Sequence, residues 1–199
     1  MPLPVELAGI TIQVIDSAGA DGFAGMVFWS GGQGNWLIRK FVAIGSARGI
    51  FRTPASEFET TIEIVPSAPN LFTANANASG APAANGIFIA ADGTRSSFPA
   101  FQCGPVLGIS VPKPIDLGSP DDITVVSFFG SGFGHYQTGE IVSESSTIGL
   151  LGTAPQRKFA ELDQANGQLM EDLRRAGDFE ASISFDDGVG ELRGRAPHG

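Results

Sequence analysis

Apolar and polar residues take turns along short stretches of this chain, and that period of two, cut every few residues by glycine or proline, constrains the fold more than any other feature. ITIQV (Ile10 to Val14) alternates in this way. So does FETTIEIV, where Phe58, Thr60, Ile62 and Ile64 share one face and Glu59, Thr61 and Glu63 share the other. A repeat of two matches the pleat of a strand with one face on a core and one toward solvent. GMVFW (25–29) and NWLIRKFV (35–42) are β-rich runs bounded by SGGQG, and GIFIAA (86–91), PVLGISV (105–111) and ITVVSFF (123–129) repeat the pattern. Asp21-Gly22, Asp92-Gly93 and Asp187-Gly188 read as turns between strands, because glycine accepts the positive φ of tight hairpins. With 27 glycines and 13 prolines the chain suits short strands better than helices, and at 17% charged and 42% hydrophobic residues it is too apolar for a disordered one. The expected fold class is all-β with little helix.

An internal echo bears on domain number. QGNWLI begins at Gln33 and QANGQL at Gln164, while FETTIEI begins at Phe58 and FEASISF at Phe179, the same pair in the same order. This favours a duplicated sandwich over one continuous domain, with domains expected at 1–66 and 67–199. Between them, from Ile64 to Ala91, no Asp, Glu, Lys or Arg occurs, and Pro66, Pro69 and Pro82 forbid a helix. A solvated linker would be polar and rich in Ser and Gly, whereas this passage carries Leu71 and Phe72. It is expected to be a crossover over 66–84, anchored by burial of both side chains. On that reading Phe72→Ala costs about 3–5 kcal/mol. RKFAELDQANGQLMEDLRRAG (157–177) pulls two ways. Phe159, Leu162, Leu169 and Leu173 fall near helical spacing, while the echo with Gln33 makes part of it a strand.

Charge and motifs exclude several functions. A net charge of −9, with no basic cluster carrying interleaved aromatics, repels phosphates and anionic lipids, so nucleic acid is not an expected partner. No apolar run approaches the ~20 residues of a membrane-spanning helix. MPLPVELAG lacks the basic end and apolar core of a signal peptide, so an exported protein is expected here as a mature chain or a piece. The single cysteine, Cys103, has no neighbour at ligand spacing and reads as a small buried hydrophobe. GxSxG, GxxxxGK[ST], HExxH and CxxC are all missing, and only His135 and His198 could act as imidazole bases. No catalytic residue and no enzymatic activity is therefore expected. GSGFGHY (130–136) lacks the lysine and following helix of a phosphate cradle and reads as a turn. Asp116, Asp121 and Asp122 in IDLGSPDD supply oxygens of the kind Ca²⁺ takes, although not at EF-hand spacing, and a solvated turn is the simpler reading. Trp29, Trp36 and Tyr136 could form a sugar-stacking platform, but aromatics within apolar strands are more often core.

LPVELAGITIQVIDSAGA, PSAPNLFTANANASGAPAA, IFIAADGTRSSFPAFQ with VPKPIDLG, VSFFGSGFG and LDQANGQLMEDLRRAGDFEASISFDDG occur in order over most of 1–188. Together they resemble the uncharacterised C-terminal domain family of large secreted proteins of Solibacter-type acidobacteria. The resemblance implies tandem immunoglobulin-like β-sandwiches and an extracellular or cell-surface location, and it carries over no functional residue. It also implies a strand over 159–168 and a helical turn over 170–175. Arg39 and Met170 stand where the family pattern has a strand-ending proline, and HYQTGEIVSESSTIGLL (135–151) fits it poorly.

The functional expectation is a non-catalytic extracellular structural or assembly module, pairing with copies of itself through sheet edges, as in a filament subunit. GIFIAA, with neither Lys nor Pro, is the strand singled out for such contact. The alternative, a carbohydrate-binding or adhesive appendage of a secreted enzyme, makes polysaccharide the partner.

Overall fold

The computed structural model describes residues 2–30, 33–39, 42–66, 68–77, 80–134, 136, 138–142, 147–156, 159, 162–174, 182–186 and 191–195. The chain divides into two compact units, Met1–Pro66 and Ser67–Gly199. It is all-β with several sheets; the one helical piece among the described residues is the 3-10 turn Glu171–Leu173.

In the first unit, β1 (Glu6–Leu7), β2 (Ile10–Ile15), β3 (Asp21–Phe23), β6 (Gly45–Arg52) and β7 (Glu57–Ile64) make one antiparallel sheet in the order β1-β2-β6-β7, with β3 also on β2. β4 (Gly25–Ser30) and β5 (Gln33–Leu37) form a separate ribbon. Alternation explains the core: Ile10, Ile12 and Val14 of β2 turn inward with Ala47 of β6. Ala24 and Met26, beside and on β4, close over them, with Trp36 and Ile38 packed alongside. The opposite face is polar. There Arg48 holds Glu59 through two hydrogen bonds (2.6 and 2.8 Å), and Arg52 bonds Glu57 at 2.7 Å and Gln13 at 2.8 Å. Ile50 is buried on that face among these long side chains.

The first hairpin corrects the expected turn. Asp21 and Gly22 lie inside β3, opposite Ile15 and Val14, and the chain reverses at 16–20 with Gly19 at φ +80°. The Asp16 carboxylate organises the bend by accepting N–H groups from Ala18, Ala20 and Ala43 at 3.0, 2.9 and 3.0 Å. At Gly22 the end of the exposed Arg39 side chain lies where a Cβ would project, a contact that this flexible group relieves by moving aside. Gly93, by contrast, sits at φ +84° in the expected turn, and Asp187-Gly188 lies outside the described residues.

The second unit is organised around β13 (Ile123–Ser131), which pairs with β9 (Ala84–Ile89), β16 (Asp163–Leu169) and, at its far end, β8 (Asn70–Leu71). The sheet runs β10-β9-β13-β16-β15-β14-β17-β18, where β10 is Arg95–Pro99, β14 Glu140–Val142, β15 Thr147–Pro155, β17 Ser182–Asp186 and β18 Glu191–Arg195. β15 pairs with β14 through Thr147–Gly149 and with β16 from Leu150 onward, its register shifting between Leu150 and Gly152. One core cluster draws on both parts of the path: Val126, Phe128 and Ala165 on one side, Ile141, Ile148 and Ile183 on the other. Phe133 and Tyr136 stack against Phe185 at 5.4 and 4.9 Å. The 157–177 segment resolves into strand Asp163–Leu169 followed by the 3-10 turn. Both QxN echoes fall on strands, but at different places: β5 is in the ribbon, whereas β16 is interior to the sheet.

The uncharged passage is stitched into this unit by its backbone. Phe72 N–H donates to Phe129 C=O at 2.9 Å, Ala83 N–H to Phe72 C=O at 2.8 Å, and Phe129 N–H to Ala83 C=O at 3.1 Å. A Cβ on Gly132 would lie 2.6 Å from the Ala68 carbonyl oxygen, so the close approach of the two segments needs glycine there, at φ +81°. The Asn75 side chain clamps the loop to Ser110, accepting its N–H at 2.6 Å and donating to its C=O at 3.0 Å. Small residues suit such contact, and Ala81 and Ala84 are wholly buried.

Three expectations fail in this unit. Leu71 is buried at 9% exposure but Phe72 is 40% exposed, because consecutive residues beside β13 face opposite ways. Val106 and Leu107 are exposed in a turn, Gly108 being at φ +80°, and only Ser110 and Val111 of PVLGISV lie in a strand, β12 (Ser110–Pro112). Cys103 is exposed rather than buried, since it ends β11 (Phe101–Cys103), half of a small ribbon with β12 outside the main sheet. Leu71→Ala is accordingly expected to cost about 2–5 kcal/mol, and Phe72→Ala clearly less than the ~3–5 kcal/mol of a buried phenylalanine. Urea unfolding of the two variants checks this; a larger loss for Phe72→Ala contradicts it.

Candidate functional site

The residues singled out for chemistry do not converge. Asp122, just before β13, accepts the Ala91 N–H at 2.8 Å with one carboxylate oxygen, and the Ser119 N–H and hydroxyl at 2.5 and 2.7 Å with the other. Asp116 closes its own turn by accepting the Gly118 N–H at 2.9 Å. The Arg174 guanidinium reaches the same turn, donating to the carbonyls of Leu117 and Gly118. Hydrogen bonds from Ser119 and then Ala91 hold the Asp122 carboxyl below its ordinary range, with the Arg174 charge adding to them. Asp116 and Asp122 thus tie a turn together, and Asp121 joins neither set of bonds. Among the described residues no three His, Cys, Asp or Glu side chains gather where a metal ion could be held. His135 and His198 lie outside the described residues.

In GSGFGHY, Phe133 is fully buried and its N–H donates to Asp163 at 2.9 Å, so this glycine-rich stretch is a turn pinned from β16. The outer face of the β13–β16 pair carries planar polar groups, but these bond one another: Ser127 donates to Asn166 at 2.7 Å, and Gln164 donates to Asn166 and Ser127 at 2.5 and 3.1 Å. A cleft of about 310 Å³ opens where residues 113–116 cross the end of β9 and β10; Phe88, Phe98 and Ile115 line it with Ser96, Lys113 and Asp116.

The first unit presents a different surface. Phe51 on β6 stacks on Phe58 of β7 at 4.7 Å with rings 3° from parallel, and Trp36 meets Phe51 edge-on at 5.5 Å. Trp29 lies over Gly34 at the end of the ribbon, next to Trp36. Of the three aromatics weighed for a platform, Tyr136 is buried and Trp36 half-buried, but Trp29 is 36% exposed because it stands past the last core residue of β4. Phe58 is 54% exposed: it points to the core side of its sheet, yet β7 is the last strand and the core residues of the ribbon cluster with β2 and β6. Phe28 and Leu37 are exposed on the outer side of the ribbon. Sequence alternation shows that Phe58 faces inward; it does not show that no described strand lies beyond β7.

The strand singled out for intermolecular contact is covered. β9 pairs with β10 on one side and β13 on the other, so Gly86–Ile89 is interior to the sheet and offers no free edge. No family model, curated protein or solved structure matches this chain.

Asp16 is the buried carboxylate of the described residues, and its N–H donors, Ala43 foremost, hold its carboxyl below the ordinary value. A group lowered in the folded state contributes stability above its unfolded pKa of ~4 and loses it as pH falls through the folded value. The unfolding midpoint of the protein is expected to fall below about pH 4, and less so in Asp16→Asn. Urea titrations at pH 2.5 to 6 measure this; equal slopes for both proteins would exclude Asp16. For the second turn, Asp122→Ala is expected to lower the midpoint equally with and without Ca²⁺; a Ca²⁺-dependent midpoint in the parent protein would show that the turn binds the ion after all.

Proposed function

We propose that the protein is a non-catalytic, extracellular structural module of two tandem immunoglobulin-like β-sandwiches that works by associating with copies of itself. The observation that carries this reading lies on the outer side of the first unit's two-stranded ribbon, where Phe28 and Leu37 are exposed on the same face. Single exposed hydrophobics are ordinary, but large apolar side chains gathered on one face are the usual mark of an interaction surface. The resemblance to the secreted family is the ground for placing the module outside the cell. Self-association rests on this ribbon rather than on Gly86–Ala91. A second reading, sugar binding, draws on the cleft at Phe88 and Phe98, where two rings stand beside the polar groups of Ser96, Lys113 and Asp116.

Sedimentation and electron microscopy of the purified protein provide the test. Concentration-dependent oligomers or filaments are expected, weakened in Phe28→Ser and Leu37→Ser without loss of folded structure. A monodisperse monomer at high concentration that binds polysaccharide would move the sugar reading to first place.

A further inference from the structure

We propose that the free edge of β7 accepts an extended strand from a different polypeptide, one that alternates apolar residues with Lys or Arg. This goes beyond self-association, and three features of β7 lead to it.

The first is an unprotected backbone. All eight residues, Glu57 to Ile64, pair with β6 in unbroken register, and no described strand pairs with the other side. The strand holds no proline, no Lys or Arg, and no bulge, the devices that ordinarily blunt an edge. β10, the end strand of the second unit's sheet, shows the contrast: it starts with Arg95 and ends with Pro99. An incoming segment can therefore add main-chain hydrogen bonds along β7, as in strand-addition complexes.

The second is an apolar inner face that is incompletely covered. Phe58 is exposed, Ile62 and Ile64 are half-buried, and all three stand on the same side of the strand. Apolar residues at every second position of an added strand would lie beside them.

The third is charge. Glu57, Glu59 and Glu63 occupy the other side. Arg52 and Arg48 of β6 hold the first two, whereas Glu63 stands opposite Ser46 and has no ion pair among the described residues. This acidity disfavours a second copy as the occupant. An antiparallel β7 pair centred on Thr60 sets Glu57 opposite Glu63 of the other copy, and one centred on Thr61 sets Glu59 there. Like charges directly opposite destabilise a strand pair. A Lys or Arg in the same position removes the repulsion and gives Glu63 its missing partner.

Two acetylated eight-residue peptides test this on the full chain, one alternating Val with Lys and the other Val with Glu. Fluorescence anisotropy reads affinity and hydrogen exchange reads location. The Lys peptide is expected to bind saturably and slow exchange across 57–64, with the Glu peptide at least ~10-fold weaker. Glu63→Lys, an exposed change, is expected to weaken the Lys peptide about fivefold, the upper end for one cross-strand charge pair, and to strengthen the Glu peptide. Equal binding of both peptides, binding that leaves exchange at 57–64 unchanged, or β7 amides already protected by dimerisation of the peptide-free protein would overturn the proposal. Oligomers that persist while the peptides fail would remove only this inference and leave self-association standing.

Discussion

A chain with almost no helix must satisfy its backbone N–H and C=O groups across strands, and in the second unit that demand converges on β13. Its nine residues pair with β9 and β16 on either side and with β8 at the far end. Those contacts bring residues 70–71, 84–89 and 163–169 into one sheet, and its inward side chains, Val126 and Phe128, lie in the core cluster. Part of the uncharged stretch from 64 to 91 answers the same demand: Leu71 and Ala84 are buried where the segment pairs with β13. Alanine and asparagine fit because one is small and the other can clamp a neighbouring backbone, as Asn75 does at Ser110.

Local alternation was the legible part of the sequence. It made Ile10–Val14 and the run from Phe58 strands with the right faces, as observed in Ile10–Ile15 and Glu57–Ile64, whereas in 157–177 the residue pattern pulled two ways and the strand expected over 159–168, observed as Asp163–Leu169, came from the family resemblance. What it could not supply was neighbourhood. Phe58 alternates like a core residue and Phe72 is a large apolar residue in an uncharged passage, but one stands on an end strand and the other turns away from the side of Leu71, which anchors the segment. Gly86–Ala91 has the composition of an open edge, yet its strand part, Gly86–Ile89, lies between two partners. Strand order decides each of these cases, and strand order depends on contacts distant in the chain.

The Asp21-Gly22 signal misled for a related reason. Asp-Gly signals a turn when the glycine is there for positive φ, but Gly22 lies within β3 opposite Val14, and the turn is made five residues earlier by the Asp16 carboxylate. The aspartates at 116 and 122 look like oxygen donors for a cation in the sequence because ligand loops and side-chain-closed turns draw on the same residues. Only the direction of the carboxylates separates the two, and here they face backbone N–H groups.

The edges of the two units are managed in opposite ways. Arg95 and Pro99 at the ends of β10 make that edge poor at accepting a neighbour, and such protection costs little where the strand's own side chains are mostly exposed. β7 cannot be blunted so easily. Its inner residues contribute to the core, with Ile64 packed on the cluster and Phe58 stacked on Phe51, so an inward charge would damage the packing. Glutamates on the outer face are the device that remains. They hold off like copies of the strand without touching the core, and they leave the edge open to a strand of opposite charge. Protection by charge alone therefore acts as a filter on the partner rather than as a closed end.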